Sequence, residues 1–282
     1  MLNRKNASWL FVLIIALSLG LLLNSCEKAD NGLTSNDVGK VALKITDSPF
    51  PLKFIEEANV TITSIEMHAI DSVNGKNWIT VWEGRQTINL LELRDGKTED
   101  LPEAEVPAGT YNMIRMRIDS ASVKYANGAE VTLKVPSGAR SGIKIVLRPP
   151  LEVTGGDLSE ILLDFDVSKS FVMRGRWHQN FPGFIFRPFI RAVVLNKAGT
   201  IAGAVSDTSG IALSDVEIKV IRDSVITHTF TNRLGFYKIL GLPEGTYSVE
   251  AEKEGYQPQE VEGITVTKGQ VVNQNFTLQP AQ

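Results

Sequence analysis

The sequence predicts an all-β protein made of two β-sandwich domains in tandem. From Lys40 onward, apolar and polar residues alternate with the period of two that is typical of half-buried strands. Turn signals such as Asn74-Gly75 and Asn127-Gly128 separate these segments. One longer turn occurs in each half of the chain, as Val106-Pro107-Ala108-Gly109-Thr110-Tyr111 and Leu242-Pro243-Glu244-Gly245-Thr246-Tyr247. Proline restricts φ and glycine tolerates φ > 0, so each copy predicts a tight turn that leads into a core strand.

Length and charge agree with this organisation. A chain of 282 residues is long enough for about two domains. The net charge of −3, with no strongly basic segment, argues against a nucleic-acid partner. The shared turn also suggests the hypothesis that the two domains are related by an old duplication.

The N-terminal segment has the order of a signal peptide. Asn3-Arg4-Lys5 is positively charged, and the run from Trp9 to Leu23 is apolar but shorter than the roughly 20 residues of a membrane span. The following Leu23-Asn24-Ser25-Cys26 resembles the bacterial lipobox. The resemblance implies that residues 1–25 are a lipoprotein signal peptide and that Cys26 carries the lipid that anchors the chain to a membrane. A plain secretory signal with an incidental cysteine and an uncleaved anchor are the alternatives.

The first domain is predicted over residues 40–195, after a polar, flexible tether at 26–39. We expect one helical turn within Phe50–Ala58 and a β-bulge near Ser64, where the apolar parity shifts. The strand Trp78–Trp82 is apolar on both faces, which favours a central or covered position. The last strand is expected from Phe184 to Leu195, with Pro188 marking an edge or a bulge.

The second domain is predicted over residues 200–282, after a linker at 196–199. Six segments alternate as strands: Ile201–Val205, Val216–Ile221, Thr227–Phe230, Phe236–Ile239, Tyr247–Ala251 and Val271–Leu278. Together with the connecting residues they indicate roughly seven strands, the size of a compact sandwich.

Motifs along the second domain resemble the carboxypeptidase regulatory-like family. The matching residues are Gly203-Ala204-Val205-Ser206-Asp207, Ile211 to Val216, Thr231-Asn232-Arg233-Leu234-Gly235-Phe236-Tyr237, Leu242 to Tyr247 and Gly255-Tyr256. The resemblance implies a transthyretin-like sandwich within the broader carbohydrate-binding-like fold. It implies an accessory domain and no peptidase activity, and a fold by itself does not assign a function.

The first domain resembles an uncharacterised family found in envelope lipoproteins of Gram-negative bacteria. The carrying segments are Leu43 to Pro49, Val60 to Ile65, Leu90 to Leu93, Pro107 to Tyr111, Val135 to Gly138, Leu163 to Asp166 and Arg187 to Arg191. This resemblance implies lipid anchoring in the cell envelope, at the outer membrane, and leaves open the periplasmic or the exposed side. It implies no assigned activity.

Asp164 and Asp166 are the candidate polar site. Residues two apart on a strand share a face, at roughly 7 Å. Such a pair could bind Ca²⁺ or serve as an acid/base pair. If the two strands are neighbours, it could instead form a charge-assisted network with Arg187 and Arg191, which share a face of the last predicted strand. We favour the ion-pair interpretation, so no metal and no cofactor is predicted.

Catalytic signatures are not found in the sequence. His68, His178 and His228 lie far apart and form no zinc-ligand spacing, and His68 is expected on a polar face beside Glu66. Serine-nucleophile and phosphate-loop motifs are also absent from the sequence. We therefore expect a protein that is not an enzyme.

Aromatic residues are the stronger indication of binding. Trp177 lies in a polar loop, and an exposed indole can stack on a sugar ring. Trp78 and Trp82 are expected in the core, and Tyr111 and Tyr247 are expected to be structural. The sequence thus favours an envelope lipoprotein that binds a partner, either a glycan or a protein. The alternative is a structural, adhesin or envelope-assembly role through protein–protein contacts.

Overall fold

The computed structural model describes residues 37–48, 54–73, 75–93, 96–135, 141–174 and 183–281. These residues belong to one compact unit, residues 35–282. Cys26 and Trp177, with the predicted signal peptide and most of the tether, lie outside the described residues. The part of the chain that the structure describes contains no helix with the length and hydrophobicity of a membrane span.

Strands account for nearly all of the regular structure. The first domain contains β1 Val38–Ser48, β2 Ile55–Val73, β3 Lys76–Asn89, β4 Glu99–Asp100, β5 Ala104–Pro107, β6 Gly109–Tyr125, β7 Glu130–Leu133, β8 Ile143–Val153, β9 Leu158–Asp166, β10 Phe171–Met173, β11 Phe184–Phe186 and β12 Ile190–Val194. The second contains β13 Ala198–Asp207, β14 Glu217–Arg222, β15 Ser224–Phe230, β16 Phe236–Pro243, β17 Gly245–Glu252, β18 Gln259–Val266, β19 Val271–Asn273 and β20 Phe276–Leu278. The short helices are 3-10 turns at Leu90–Glu92 and Leu195–Lys197 and the helix α1 at Val167–Ser170.

The first domain is built on a ten-stranded sheet that folds over on itself, and β10 and β11 form a separate two-stranded sheet. Its order is β3-β2-β6-β8-β12-β9-β1-β4, with β5 added beside β1 and β7 beside β6. A single residue pair, Leu147 with Ala192, joins β8 to β12, so the sheet bends there into two layers. Inward side chains of both layers, such as Ile65, Ile114 and Phe165, are fully buried in one core. This alternation of buried and exposed positions gives the predicted sandwich.

The second domain is a smaller sandwich with its own core. One sheet has the order β16-β13-β19, with β20 also paired to β13, and the other has the order β15-β14-β17-β18. Val216, Val249 and Leu278 are among its fully buried side chains. The predicted all-β fold of two tandem sandwiches is confirmed.

The two domains repeat the same strand topology. In the first, β2 pairs with β3 and β6, β6 also pairs with β8, and β1 pairs antiparallel with β5 and parallel with β9. The second domain makes the same pairings. There, β14 pairs with β15 and β17, β17 also pairs with β18, and β13 pairs antiparallel with β16 and parallel with β19. The first domain adds β4, β7, β10, β11 and β12 to this plan. The shared plan supports the duplication hypothesis.

The repeated proline–glycine turn makes the same hydrogen bond in both domains. The hydroxyl of Tyr111 donates to the carbonyl of Pro107 at 2.8 Å, and the hydroxyl of Tyr247 donates to that of Pro243 at 2.6 Å. Both rings are buried, at 0% and 2% exposure. Each hydrogen bond joins a core tyrosine to a strand of the facing sheet, so the turn holds the two layers together. This agrees with the structural role expected for both tyrosines.

Several local expectations need correction. The bulge near Ser64 is confirmed by the register shift between Ile62 and Ser64. The prediction of a helical turn within Phe50–Ala58 is wrong for the residues that the structure describes, because residues 55–58 belong to β2. The strand of Trp78 and Trp82 is not central, since β3 ends the sheet order. The last predicted strand is broken around Pro188 into β11 and β12, because β11 pairs with β10 and β12 pairs with β9.

Candidate functional site

Arg191 joins the two domains through a forked set of hydrogen bonds. It lies on β12, directly opposite Asp164 on β9. Its Nε and Nη2 atoms donate to Asp164 Oδ2 at 3.2 and 2.8 Å, and its Nη1 donates to the carbonyl oxygen of Gly241 on β16 at 3.1 Å. The Asp164 side chain is only 8% exposed. A largely buried ion pair therefore contacts the backbone of the second domain.

Gly241 allows this close approach. Its φ of +68° is a conformation that other residues rarely adopt. A Cβ added there would lie 3.0 Å from Leu162 Cδ2 and 3.4 Å from the nearest atoms of Val193, both in the first domain. The junction thus requires glycine for its backbone conformation and for its packing.

Buried polar side chains surround the same junction. Asp47 is 6% exposed, and its Oδ1 accepts a hydrogen bond from the backbone N–H of Val167 at 3.2 Å. Thr227 and Thr229 are each 4% exposed, and with His228 they line a cavity of about 20 Å³ next to Asp47 and Asp164. A cavity of this size is comparable with the space that one water molecule needs. The junction is therefore lined by polar groups, and its cavity is too small for a ligand larger than water.

Asp166 has a separate, local role. Its Oδ1 accepts hydrogen bonds from the Lys169 backbone at 3.0 Å and from Ser168 Oγ at 2.6 Å, so it caps the N-terminus of α1. Its Oδ2 lies 2.7 Å from Lys169 Nζ. Burial by itself raises the pKa of Asp166, but the hydrogen bonds from Lys169 and Ser168 outweigh it and hold the pKa below its ordinary value.

The four charged residues of the sequence prediction do not form one site. Asp164 pairs with Arg191, whereas Asp166 pairs with Lys169. Arg187 lies between β11 and β12 with an exposed side chain, so the expectation that it shares a strand face with Arg191 is wrong. Within the described ranges, no group of three or more His, Cys, Asp or Glu side chains is arranged to hold a metal ion.

A cleft of about 940 Å³ opens beside the junction. Residues of both domains line it, including Leu91, Glu92 and Lys97 from the first and Asp215, Phe230 and Arg233 from the second. Charged side chains of both signs line it. No sequence motif indicated this cleft, because its two walls are more than 100 residues apart.

The two tryptophans of β3 point to opposite faces of the sheet. The register shift next to Ile65 inserts an extra residue in β3, so Trp82 lies opposite Ile65 and packs against the core, as expected. Trp78 is instead on the outer face, 4.1 Å beneath the guanidinium of Arg115 and 4.9 Å from the His68 ring. The core prediction is therefore right for Trp82 and wrong for Trp78.

A charged cluster holds the environment of Trp78 in place. Arg115 Nε and Nη2 donate to the two carboxylate oxygens of Glu66 at 2.7 and 2.8 Å. These hydrogen bonds hold the pKa of Glu66 below its ordinary value. His68 Nδ1 lies 3.0 Å from Asn112 Oδ1, on the polar face predicted for it beside Glu66.

The junction residues were only partly accessible to sequence reasoning. Asp164 and Arg191 were identified, but their contact with Gly241 was not. The available signal was Gly241 itself, which lies between the predicted strand Phe236–Ile239 and the turn that begins at Leu242, because glycine often marks a close backbone approach.

Two sequence families match the chain. The model of the domain of unknown function DUF4382 matches residues 38–188, which is more than half of the chain. The model of the carboxypeptidase regulatory-like domain matches residues 200–279. None of the curated proteins matches the chain.

Solved structures with some similarity include two pilins. The TIE protein of Bacillus anthracis is 15% identical, with 87% of this chain and 34% of that chain covered and a TM-score of 0.26. The minor pilin GBS52 of Streptococcus agalactiae is 12% identical, with coverages of 86% and 96% and a TM-score of 0.25. The shaft pilin spaA of Lactobacillus rhamnosus GG is 9% identical, with coverages of 87% and 98% and a TM-score of 0.25. The chain spans about a third of the TIE chain, and overlaps this loose carry no argument about function.

Proposed function

Because this chain belongs to the family named domain of unknown function DUF4382, followed by a carboxypeptidase regulatory-like domain, we propose that it is a non-catalytic structural protein of the cell envelope. Its sandwiches act through protein–protein contacts, as in an adhesin or an envelope-assembly component. The lipid on Cys26 anchors it to the membrane.

The open edge of β3 carries this proposal. β3 is 14 residues long and lies at the end of the sheet, and among the described residues no strand pairs with its outer side. An edge of this length presents a row of backbone N–H and C=O groups to which a strand of another chain can add. Main-chain hydrogen bonds would supply the affinity, and side chains along β3 would select the partner.

The polar junction supports the same proposal. A protein that bears load or spaces two partners needs a fixed relation between its binding faces. The hydrogen bond from Arg191 to the carbonyl of Gly241 opposes a hinge between the sandwiches, because bending would break it and leave that carbonyl without the donor.

Site-specific photo-crosslinking in intact cells tests the β3 contact. A photoreactive side chain at Thr80, an exposed position of β3, is expected to give a discrete crosslink to an envelope protein. The control puts the same group at Glu250 on the central strand β17, whose edges are occupied by β14 and β18. Equal crosslinking at both positions, or none at Thr80, would contradict the proposal.

Metabolic labelling tests the anchor separately. We expect wild-type protein to incorporate an alkyne fatty acid and to fractionate with membranes. Cys26→Ala should lose both properties while the β-sandwiches still fold, because Cys26 precedes the first strand by more than ten residues. Unchanged labelling in Cys26→Ala would reject the lipid anchor. Protease treatment of intact cells then distinguishes the exposed from the periplasmic side.

A further inference from the structure

A groove of about 500 Å³ crosses the outer face of the sheet β16-β13-β19. Ala202 and Ala204 of β13 form its floor, because each side chain extends only one carbon above the strand. Longer side chains rise from the neighbouring strands on both sides, and adjacent strands are about 4.8 Å apart, so the walls stand about 10 Å apart. The walls are formed by Phe236 and Lys238 on one side and by Asn273 and Asn275 on the other.

Register aligns these residues in two rows across the groove. Phe236 lies directly opposite Ala204, and Lys238 lies opposite Ala202. Asn273 flanks Ala202 from the other side. Asn275 follows β19 and accepts a hydrogen bond from the backbone N–H of Ala204 through its Oδ1 at 2.9 Å.

Two amide groups at the groove have a fixed orientation. With its Oδ1 engaged by Ala204, Asn275 has its Nδ2 available to donate to a ligand. Asn232, which also lines the groove, accepts hydrogen bonds through Oδ1 from the backbone N–H groups of Leu234 and Phe236, at 2.9 and 3.1 Å. The Nδ2 of Asn232 is likewise available to donate a hydrogen bond to a ligand. The groove therefore presents preoriented donors that need acceptors such as hydroxyl or carboxylate oxygens.

Phe236 provides an apolar stacking surface between these donors. Its side chain is 54% exposed, whereas the next residue, Tyr237, is 2% exposed in the core. The alternation of the strand therefore explains the outward direction of Phe236 but not the choice of a large aromatic residue there. Aromatic rings beside polar donors are typical of sites that bind the apolar face of a sugar ring.

The charge of the groove selects among sugars. The chain has 32 acidic residues, yet no Asp or Glu lines this groove. Lys238 lines it and makes no ion pair with any residue that the structure describes. An anionic group is complementary to this wall, and a carboxylate on the sugar supplies it.

We propose that this groove binds a uronic-acid unit of an acidic polysaccharide. The sugar ring stacks on Phe236, its hydroxyl oxygens accept hydrogen bonds from Asn232 and Asn275, and its carboxylate pairs with Lys238. An extended peptide fits less well, because the backbone of the floor is already engaged: β16 pairs with Ala202 and Ala204 on one side, and on the other β19 pairs with Ala202 while Asn275 accepts from the N–H of Ala204. The groove shares no residue with β3.

Calorimetric titration of the full-length chain in detergent micelles tests the proposal. The probes are an oligogalacturonate and the same oligosaccharide with its carboxyl groups reduced to alcohols. We expect wild type to bind the acidic form more tightly. Phe236→Ala should weaken binding to both forms about tenfold, which corresponds to 1.4 kcal/mol. Lys238→Gln should remove the preference for the acidic form.

Leu234→Ala is the matched control. Leu234 is 69% exposed and two residues from Phe236, but it does not line the groove. Binding should be unchanged in this variant, and thermal unfolding should be unchanged in all three. If Phe236→Ala destabilises the fold, Phe236→Tyr, which keeps the ring, is expected to retain binding.

Four results would overturn the proposal: no binding of either probe, equal binding by wild type and Phe236→Ala, a preference that survives in Lys238→Gln, or full competition by polyglutamate. The last result would indicate simple charge attraction to an acidic chain. None of them bears on the crosslinking at β3, so the groove and the proposed protein contacts are tested independently.

Discussion

Replacing Arg191 by methionine should destabilise the protein much more than breaking an equally short ion pair on the surface. Methionine keeps most of the length of the side chain but removes every donor of the guanidinium. Asp164, whose side chain is 8% exposed, then loses its cation, and the carbonyl of Gly241 loses a donor.

The expected magnitude follows from the burial of the pair. Removing one partner of a fully buried ion pair costs roughly 3–5 kcal/mol. The Arg191 side chain is 21% exposed, so water can partly replace it, and we expect a loss of about 2–3 kcal/mol in the free energy of unfolding. With a urea m-value of about 2–3 kcal/mol/M, the midpoint should fall by about 1 M.

Urea denaturation of a double-mutant cycle measures the effect. Arg191→Met and Asp164→Asn, alone and combined, should give a coupling free energy of about 1–2 kcal/mol. Arg85→Met is the control, because Arg85 and Asp119 are also 2.8 Å apart but are 65% and 41% exposed. That exposed pair should contribute less than about 1 kcal/mol. If Arg191→Met costs no more than Arg85→Met, the junction does not depend on this buried pair.

Three further predictions concern the junction, the turns and the cap of α1. Gly241→Ala should lower the free energy of unfolding by more than Gly263→Ala. Gly263 is the control because its φ is +75° and an added Cβ would meet no atom within 4 Å. Equal losses in urea denaturation would show that packing against Leu162 is unimportant. Tyr111→Phe and Tyr247→Phe should each cost about 1 kcal/mol in thermal unfolding, since each loses one buried hydrogen bond to a proline carbonyl, and a neutral result at either site would contradict the shared role. The pKa of Asp166 in the folded chain lies below its ordinary value of 3.8, so its stabilisation is complete above pH 3.8 and is lost as pH falls through the lower folded value. The difference in unfolding free energy between wild type and Asp166→Asn should therefore shrink below pH 3.8, and a difference that stays constant from pH 7 to pH 2 would refute the assignment.

Local patterns explain why so much of the β-structure was predictable. The alternation of residues such as Val41, Leu43 and Ile45 reflects the two-residue repeat of a strand, which depends on neighbouring backbone geometry alone. The turns before Tyr111 and Tyr247 and the bulge near Ser64 are also encoded in a few adjacent residues. The pair Asp164 and Arg191 was contained in the predicted network of four charged residues, but Asp166 and Arg187 are not part of it.

Relations between distant segments were not accessible in this way. A strand's own sequence does not state which strands flank it, so β3 was expected to be central or covered, and it lies at an edge. The break between β11 and β12, which separates Arg187 from Arg191, depends on β10 as an alternative partner. The groove around Phe236 likewise exists only because β16 and β19 lie on either side of a strand with alanines.

The sequence by itself determined the all-β class, the tandem domains and the paired turns, and it predicts a lipid anchor at Cys26. These features follow from short-range sterics and from motifs that are read along the chain. The tertiary structure decided that Arg191 hydrogen-bonds to Gly241 of the second domain and that β3 is an open edge. It also decided that Phe236 lines a groove without Asp or Glu side chains. Each of these depends on which strands become neighbours, and that choice is made by burial of the whole core, because no single strand can cover its apolar face alone.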